Sequence, residues 1–311
     1  MTDARGSSNA ARILALVAGM LAGCGGSSGS GPDAAQPAGA DVGAGPANVC
    51  VDDGGGAPLL CTCNPALASV TDLSGTWVLE TIGAQTVTAP TYANPFHLKS
   101  LGVILVQVVQ NGNDVTLNGQ YCDRIQHDDP KNPAQVVVLD PWRQTPFPVQ
   151  RSGTFAPDDS GRWTLTLPSA IEVAGANLVN PATDALPVDL NDPRLVDSDN
   201  DLHPGISVGL GGSPGSLITG TIWSVQRQTT ALHGVAVAVD RVEGGMAFQS
   251  DQSVIASDPA YIKDLYSLST SSADPAACSS TFIMVKVPDA ADAGVVDCAW
   301  VRANERALLG L

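Results

Sequence analysis

Basic side chains are scarce in this chain. Lys and Arg number 15 against 31 Asp and Glu, a formal net charge of −16, so the surface repels nucleic acids and anionic headgroups instead of gripping them. Histidine is scarcer still, at four. His97, His127, His203 and His233 form no His-x-x-x-His or His-Glu pattern, which removes the usual zinc-hydrolase motifs. His127-Asp128-Asp129 reads as a polar turn ending at Pro130. No Cys-x-x-Cys occurs, and Cys61-Thr62-Cys63 has too short a spacing for a zinc knuckle. Long apolar runs are missing as well: Ile13 to Leu21 spans nine residues, whereas a helix needs about 20 to cross a bilayer. One formal match to a nucleophile elbow, Gly211-Gly212-Ser213-Pro214-Gly215, fails on mechanism. The residue after the serine must donate a backbone N–H to an oxyanion, and Pro214 has none.

What is present begins at the N-terminus. Arg5 and Arg12 precede the short apolar run, and small residues follow it, which is the anatomy of an export signal. Leu21-Ala22-Gly23-Cys24 resembles the lipobox of bacterial lipoproteins. The resemblance implies a diacylglyceryl group on Cys24, cleavage before it and acylation of the new amino terminus. A lipid anchor of several acyl chains is persistent, at about 0.8 kcal/mol per buried methylene. Gly25 stands where an inner-membrane retention aspartate is found in that family. The expected address is therefore the cell envelope, at the outer membrane, facing periplasm or surface. Residues 1–23 form the signal peptide, and residues 24–49 the lipidated cysteine and a disordered Gly/Ser/Ala/Pro tether. A flexible tether of that length reaches on the order of 25–30 Å.

With Cys24 assigned to lipid, Cys50, Cys61, Cys63, Cys122, Cys278 and Cys298 remain, an even set that implies three disulfides in an oxidising compartment. Cys278 and Cys298 flank one strand-like segment and are expected to pair, leaving the other four to pair among themselves.

Residues 50–311 read as one β-rich domain, with two lobes at about 65–170 and 200–311 as the alternative. The period is two: in Trp163-Thr164-Leu165-Thr166-Leu167 the large apolar side chains share one face. Similar runs occur at Gly75–Ile82, Val103–Gln110, Val115–Tyr121, Val136–Leu139, Ile206–Leu210, Ile218–Gln228, Val235–Val242 and Thr281–Val287. Asn111-Gly112-Asn113-Asp114 predicts a hairpin between two of them. Helices are expected only at Pro259–Leu268 and Arg302–Leu309. Many short strands with Gly and Pro turns predict an antiparallel barrel or sandwich. Leu73-Ser74-Gly75-Thr76-Trp77-Val78-Leu79 resembles the Gly-x-Trp opening strand of lipocalin-like barrels. That resemblance implies that Trp77, with Gly75 and Thr76, closes one end of a barrel, and that an arginine from a late strand packs across it, for which Arg227 and Arg302 are the candidates.

Asp197-Ser198-Asp199-Asn200-Asp201 places three carboxylates at alternate positions, able to converge on a hard cation such as calcium, with Asp192 as a further candidate. Leu202 and Val208 occupy the positions where an EF-hand needs glycine and glutamate. No catalytic residues are assigned. The leading expectation is a non-enzymatic, membrane-anchored protein that binds a small apolar or amphipathic ligand in a barrel. The alternative is a calcium-stabilised module that contacts another surface protein, and an extracellular hydrolase ranks last.

Overall fold

The computed structural model describes residues 61–62, 70–88, 95–128, 136–211, 218–276, 278–287 and 295–309. The strands are β1 (Gly75–Thr88), β2 (Phe96–Asn111), β3 (Asp114–Asp128), β4 (Val136–Val138), β5 (Pro148–Pro157), β6 (Trp163–Ala174), β7 (Ile206–Leu210), β8 (Gly220–Ala238), β9 (Arg241–Asp258), β10 (Thr270–Ala273) and β11 (Thr281–Lys286). The described helices are α1 (Asp140–Gln144), α2 (Tyr261–Ser267) and α3 (Cys298–Leu309). All eleven strands join one sheet, and every strand pairing in it is antiparallel. The order β8-β6-β5-β3-β2-β1-β11-β9 returns to β8, so these strands form a closed ring. Closure leaves no unpaired edge among them. In this ring β6, β5, β3, β2 and β1 form one contiguous arc, and β11, β9 and β8 complete it. Among the described residues, no helix is long and apolar enough to cross a membrane.

The long strands change partner along their length. β1 pairs with β11 over Trp77–Ile82 and with β10 over Gln85–Thr88. β8 pairs with β6 over Gln226–Val235 and with β7 over Gly220–Ser224. The wall therefore continues past the ends of β6 and β11, and the interior has two unlike halves.

At one end the ring is filled. Trp77, Phe155, Leu165, Leu167, Leu232 and Phe282 are buried to 1 % exposure or less and belong to one apolar cluster. Each such side chain contributes roughly 1.5–3 kcal/mol through burial. Val70 and Leu73, which precede β1, join this cluster, and the Trp77 indole N–H donates to the Leu73 carbonyl at 2.7 Å. The cation near Trp77 is Lys286 of β11, 5.7 Å from the ring centroid. Neither expected arginine is there. Arg227 pairs with Asp251 and reaches the Pro181 and Asp184 carbonyls, while Arg302 donates to the Cys122 carbonyl. Gly75 makes room for the lysine: its φ is +132°, and a Cβ there would lie 3.0 Å from Lys286 Cε.

The β2–β3 hairpin forms where expected, but its turn is Gly112-Asn113, flanked by the Asn111–Asp114 pair. Gly112, with φ +61°, takes the first central position, which suits glycine in a two-residue turn. Val235–Val242 is two strand ends and a turn, not one strand. A bulge opposite Val103 and Ile104 leaves Cys122 as an extra residue in β3. It shifts the alternation so that Leu117 and Tyr121 face inward before it and Arg124 and Gln126 after it.

Outside the ring, α3 lies on an apolar patch of Val78, Val103, Cys122 and Val285 through Val301 and Leu309. The segment 175–205 covers Val225 and Ile255 of β8 and β9 with Ala176, Leu178 and Leu195. The disulfides correct the expected pairing: Cys61 bonds Cys278, and Cys122 bonds Cys298. Both cross 176 residues or more of sequence, since the ring brings β3 beside the C-terminal helix. Cys24, Cys50 and Cys63 lie outside the described residues.

Candidate functional site

Beyond the packed half, the ring interior opens into a cavity of about 440 Å³, a volume typical of small-molecule sites. Leu79, Val87, Phe96, Leu98 and Phe248 give it apolar walls, and Gln85, Gln226, Gln228 and Gln252 punctuate them. Two glycines shape it. A Cβ at Gly83 would lie 2.7 Å from the Phe248 ring, and one at Gly102 would lie 2.8 Å from the Tyr121 ring.

Charged groups sit where the cavity meets the packed core. The Tyr121 hydroxyl donates to Glu172 Oε2 at 3.0 Å. Burial raises the Glu172 carboxyl above the usual carboxylate range, while Tyr121, Arg151 and Arg124 pull it back. Burial, then Glu172, pushes the Tyr121 phenol well above its ordinary value, so it stays a neutral donor. Arg151 donates from Nη1 to the Thr230 hydroxyl at 2.9 Å and from Nη2 to the Pro168 and Thr230 carbonyls at 2.8 and 3.0 Å.

Arg124 is held in an aromatic cage. Its guanidinium carbon lies 3.9 Å from the Trp142 ring centroid, 4.3 Å from Tyr121 and 5.8 Å from Phe147, where cation–π attraction offsets part of the desolvation cost. Nη1 donates to the Trp142 and Thr145 carbonyls, both at 2.9 Å. Burial lowers the Arg124 pKa to about 10 against the opposing pull of Tyr121, Glu172 and Asp123, so the group remains a cation at neutral pH. α1 supplies Trp142, and it is docked by Arg143, whose Nε and Nη2 donate to the two oxygens of Asp123 at 2.6 and 2.8 Å. That bidentate pair sets the helix, and thereby the cage, on β3. Among the described residues, two buried donors lining the cavity have no acceptor: Arg124 Nη2 and Gln126 Nε2.

The acidic motif lies elsewhere, in the 175–205 segment. The structure brings Asp197, Asp199 and Asp201 together, with one oxygen from each within 4.8 Å of the others. Asp199 Oδ2 accepts from the Ser207 amide at 2.8 Å, while Asp199 Oδ1 is buried without a donor. Burial first, then the neighbouring aspartates, raises the Asp199 carboxyl to about 6. Asp192 stands apart, paired with Arg194 at 2.6 Å.

Among the described residues, the remaining candidates assemble no reaction centre. His97 Nδ1 meets both Asp274, at 2.7 Å, and Thr86, at 3.5 Å, so a single nitrogen serves both and no relay forms. His203 stacks on Trp223, and His233 bonds Thr166. Ser213 lies outside the described residues, as does the side chain of His127. Sequence reasoning missed Tyr121, Arg124, Gln126, Arg151 and Glu172. The available signal was Gln120 to Gln126, a strand with polar residues on both faces, which normally reads as solvent-exposed.

No family model, curated protein or solved structure matches the chain.

Proposed function

We propose that this is a lipid-anchored lipoprotein of the cell envelope whose ring of strands acts as a lipocalin-like barrel and holds a small amphipathic molecule, without catalysing a reaction. The observation that carries the reading is the cavity inside the closed ring, apolar along its walls and charged at its floor. The Gly75-Thr76-Trp77 strand at the filled end supports the lipocalin likeness, with Lys286 in the place given to arginine in that family. The lipobox at Leu21-Ala22-Gly23-Cys24 supports the anchor, and the composition of residues 25–49 supports a tether to an outer-membrane or surface address. Native mass spectrometry of protein purified without harsh extraction tests the binding: an organic adduct released on unfolding supports it. Loss of incorporated palmitate in Cys24→Ser tests the anchor.

A second reading has its own observation. Asp199 Oδ1 faces other carboxylates with no donor available, and either a proton or a hard cation satisfies it. Calcium held by Asp197, Asp199 and Asp201 would stiffen the 175–205 segment against β8 and β9, as a module contacting a partner protein requires. A rise in Tm on adding calcium, absent in Asp199→Asn, supports this role, and an unchanged Tm ends it.

A further inference from the structure

The cavity floor has a charge and hydrogen-bond imbalance of one sign. Three cations line the cavity: Lys263 donates to the Val188 and Ile255 carbonyls at 2.9 and 2.8 Å, while Arg124 and Arg151 stand at the floor against a single carboxylate, Glu172. At the floor one positive charge is therefore in excess even with Glu172 ionised. An unneutralised charge and an unmet buried donor are both costly, and here they coincide. Arg124 is 9 % exposed, its Nη1 is saturated by carbonyls, and its Nη2 has no acceptor. Gln126 has its amide oxygen engaged by the Ser100 hydroxyl at 3.0 Å and its Nε2 unmet. The two residues stand two apart on the same face of β3, both in the cavity wall.

Resting on the reading of the cavity as a binding site, we infer that its ligand is an amphipathic carboxylic acid, whose carboxylate accepts from Arg124 Nη2 and Gln126 Nε2 while its hydrocarbon lies against Leu98, Phe96 and Phe248. A carboxylate has one charge and two oxygens, which match one excess cation and two unmet donors. A phosphomonoester would bring more charge and more acceptor oxygens than the floor can meet. Three aromatic rings with centroids within 5.8 Å of the guanidinium carbon exclude water around it, and such a hydrogen bond is strongest where water is excluded.

The test uses full-length protein carrying Cys24→Ser, kept free of detergent, with decanoate and decan-1-ol as probes in calorimetry and Nile red as a neutral apolar reporter. Decanoate is expected to bind about ten-fold or more tightly than decan-1-ol, the scale of one hydrogen bond to a charged group. Gln126→Leu, which leaves the Arg124 cage untouched, should weaken decanoate alone by about ten-fold, and Arg124→Met should abolish the preference. Equal binding of acid and alcohol, or equal loss of both in Gln126→Leu, overturns the carboxylate assignment and leaves the cavity reading intact. The same holds if Nile red binds and decanoate does not. If none of the three probes binds, the cavity reading fails and this inference with it.

Discussion

The two halves of the ring interior are built by many of the same strands to opposite ends. Around Trp77 buried apolar side chains pack into one cluster, and the indole N–H has its carbonyl. Around Arg124 the same β1, β2 and β3, with β5 and β6, line a cavity, bring Arg124, Arg151 and Glu172 together and leave two donors unmet. Close packing contributes stability roughly in proportion to buried area, whereas buried polar groups with incomplete partners subtract from it. The filled end thus supplies the stability that lets the other end remain open and unsatisfied, as binding regions generally are. Cys122 marks the boundary, since its bulge reverses the alternation of β3 and its disulfide ties that point to α3.

Trp77→Ala should be the most damaging change, costing about 3–5 kcal/mol in urea unfolding; a loss below 1 kcal/mol would mean the filled end is not the source of stability. Cys122→Ser with Cys298→Ser removes a long-range crosslink at the boundary and should cost about 2–5 kcal/mol, read by the same transition. Tyr121→Phe removes the donor to Glu172 at the cavity floor and should cost about 1–3 kcal/mol, with the loss shrinking as pH falls and Glu172 takes up its proton. Gln126→Leu is expected within about 1 kcal/mol of the parent, because trading an unmet donor for an apolar group offsets the acceptor that the part-buried Ser100 hydroxyl loses. The smallest effect lies outside the ring. Burial raises the carboxyls of Glu80 and Glu305 above their ordinary range, helped by the charge of Glu305 at Glu80 and of Asp123 at Glu305. The native state then binds protons that the unfolded chain has released, so stability declines as pH rises from the unfolded carboxylate range through these raised values. Glu80→Gln should flatten that decline in a Tm series against pH.

The packed half was the legible half. Trp163, Leu165 and Leu167 share a face as their spacing requires, Trp77 occupies the core, and the turn at residues 112–113 joins β2 and β3. There the inward positions are apolar and the pattern has an unbroken period of two. The cavity half was illegible for the converse reason. Arg124, Gln126, Gln226 and Gln252 face inward but have the chemistry of a wetted surface, and the bulge at Cys122 resets the phase within β3. The disulfides escaped for a topological reason, since nearness in sequence favoured Cys278 with Cys298 while ring closure put Cys122 beside Cys298. The three aspartates were legible because a short loop keeps sequence neighbours together.

Occupancy of the cavity decides whether the ring is a binding protein. Native mass spectrometry of the protein isolated from its own membranes, followed by denaturation and extraction, reads it directly. The expected result is a small organic adduct that is retained on the folded chain, released on unfolding and carries an acid group. A bare mass under conditions that preserve the fold, together with no binding of decanoate or Nile red, would contradict it.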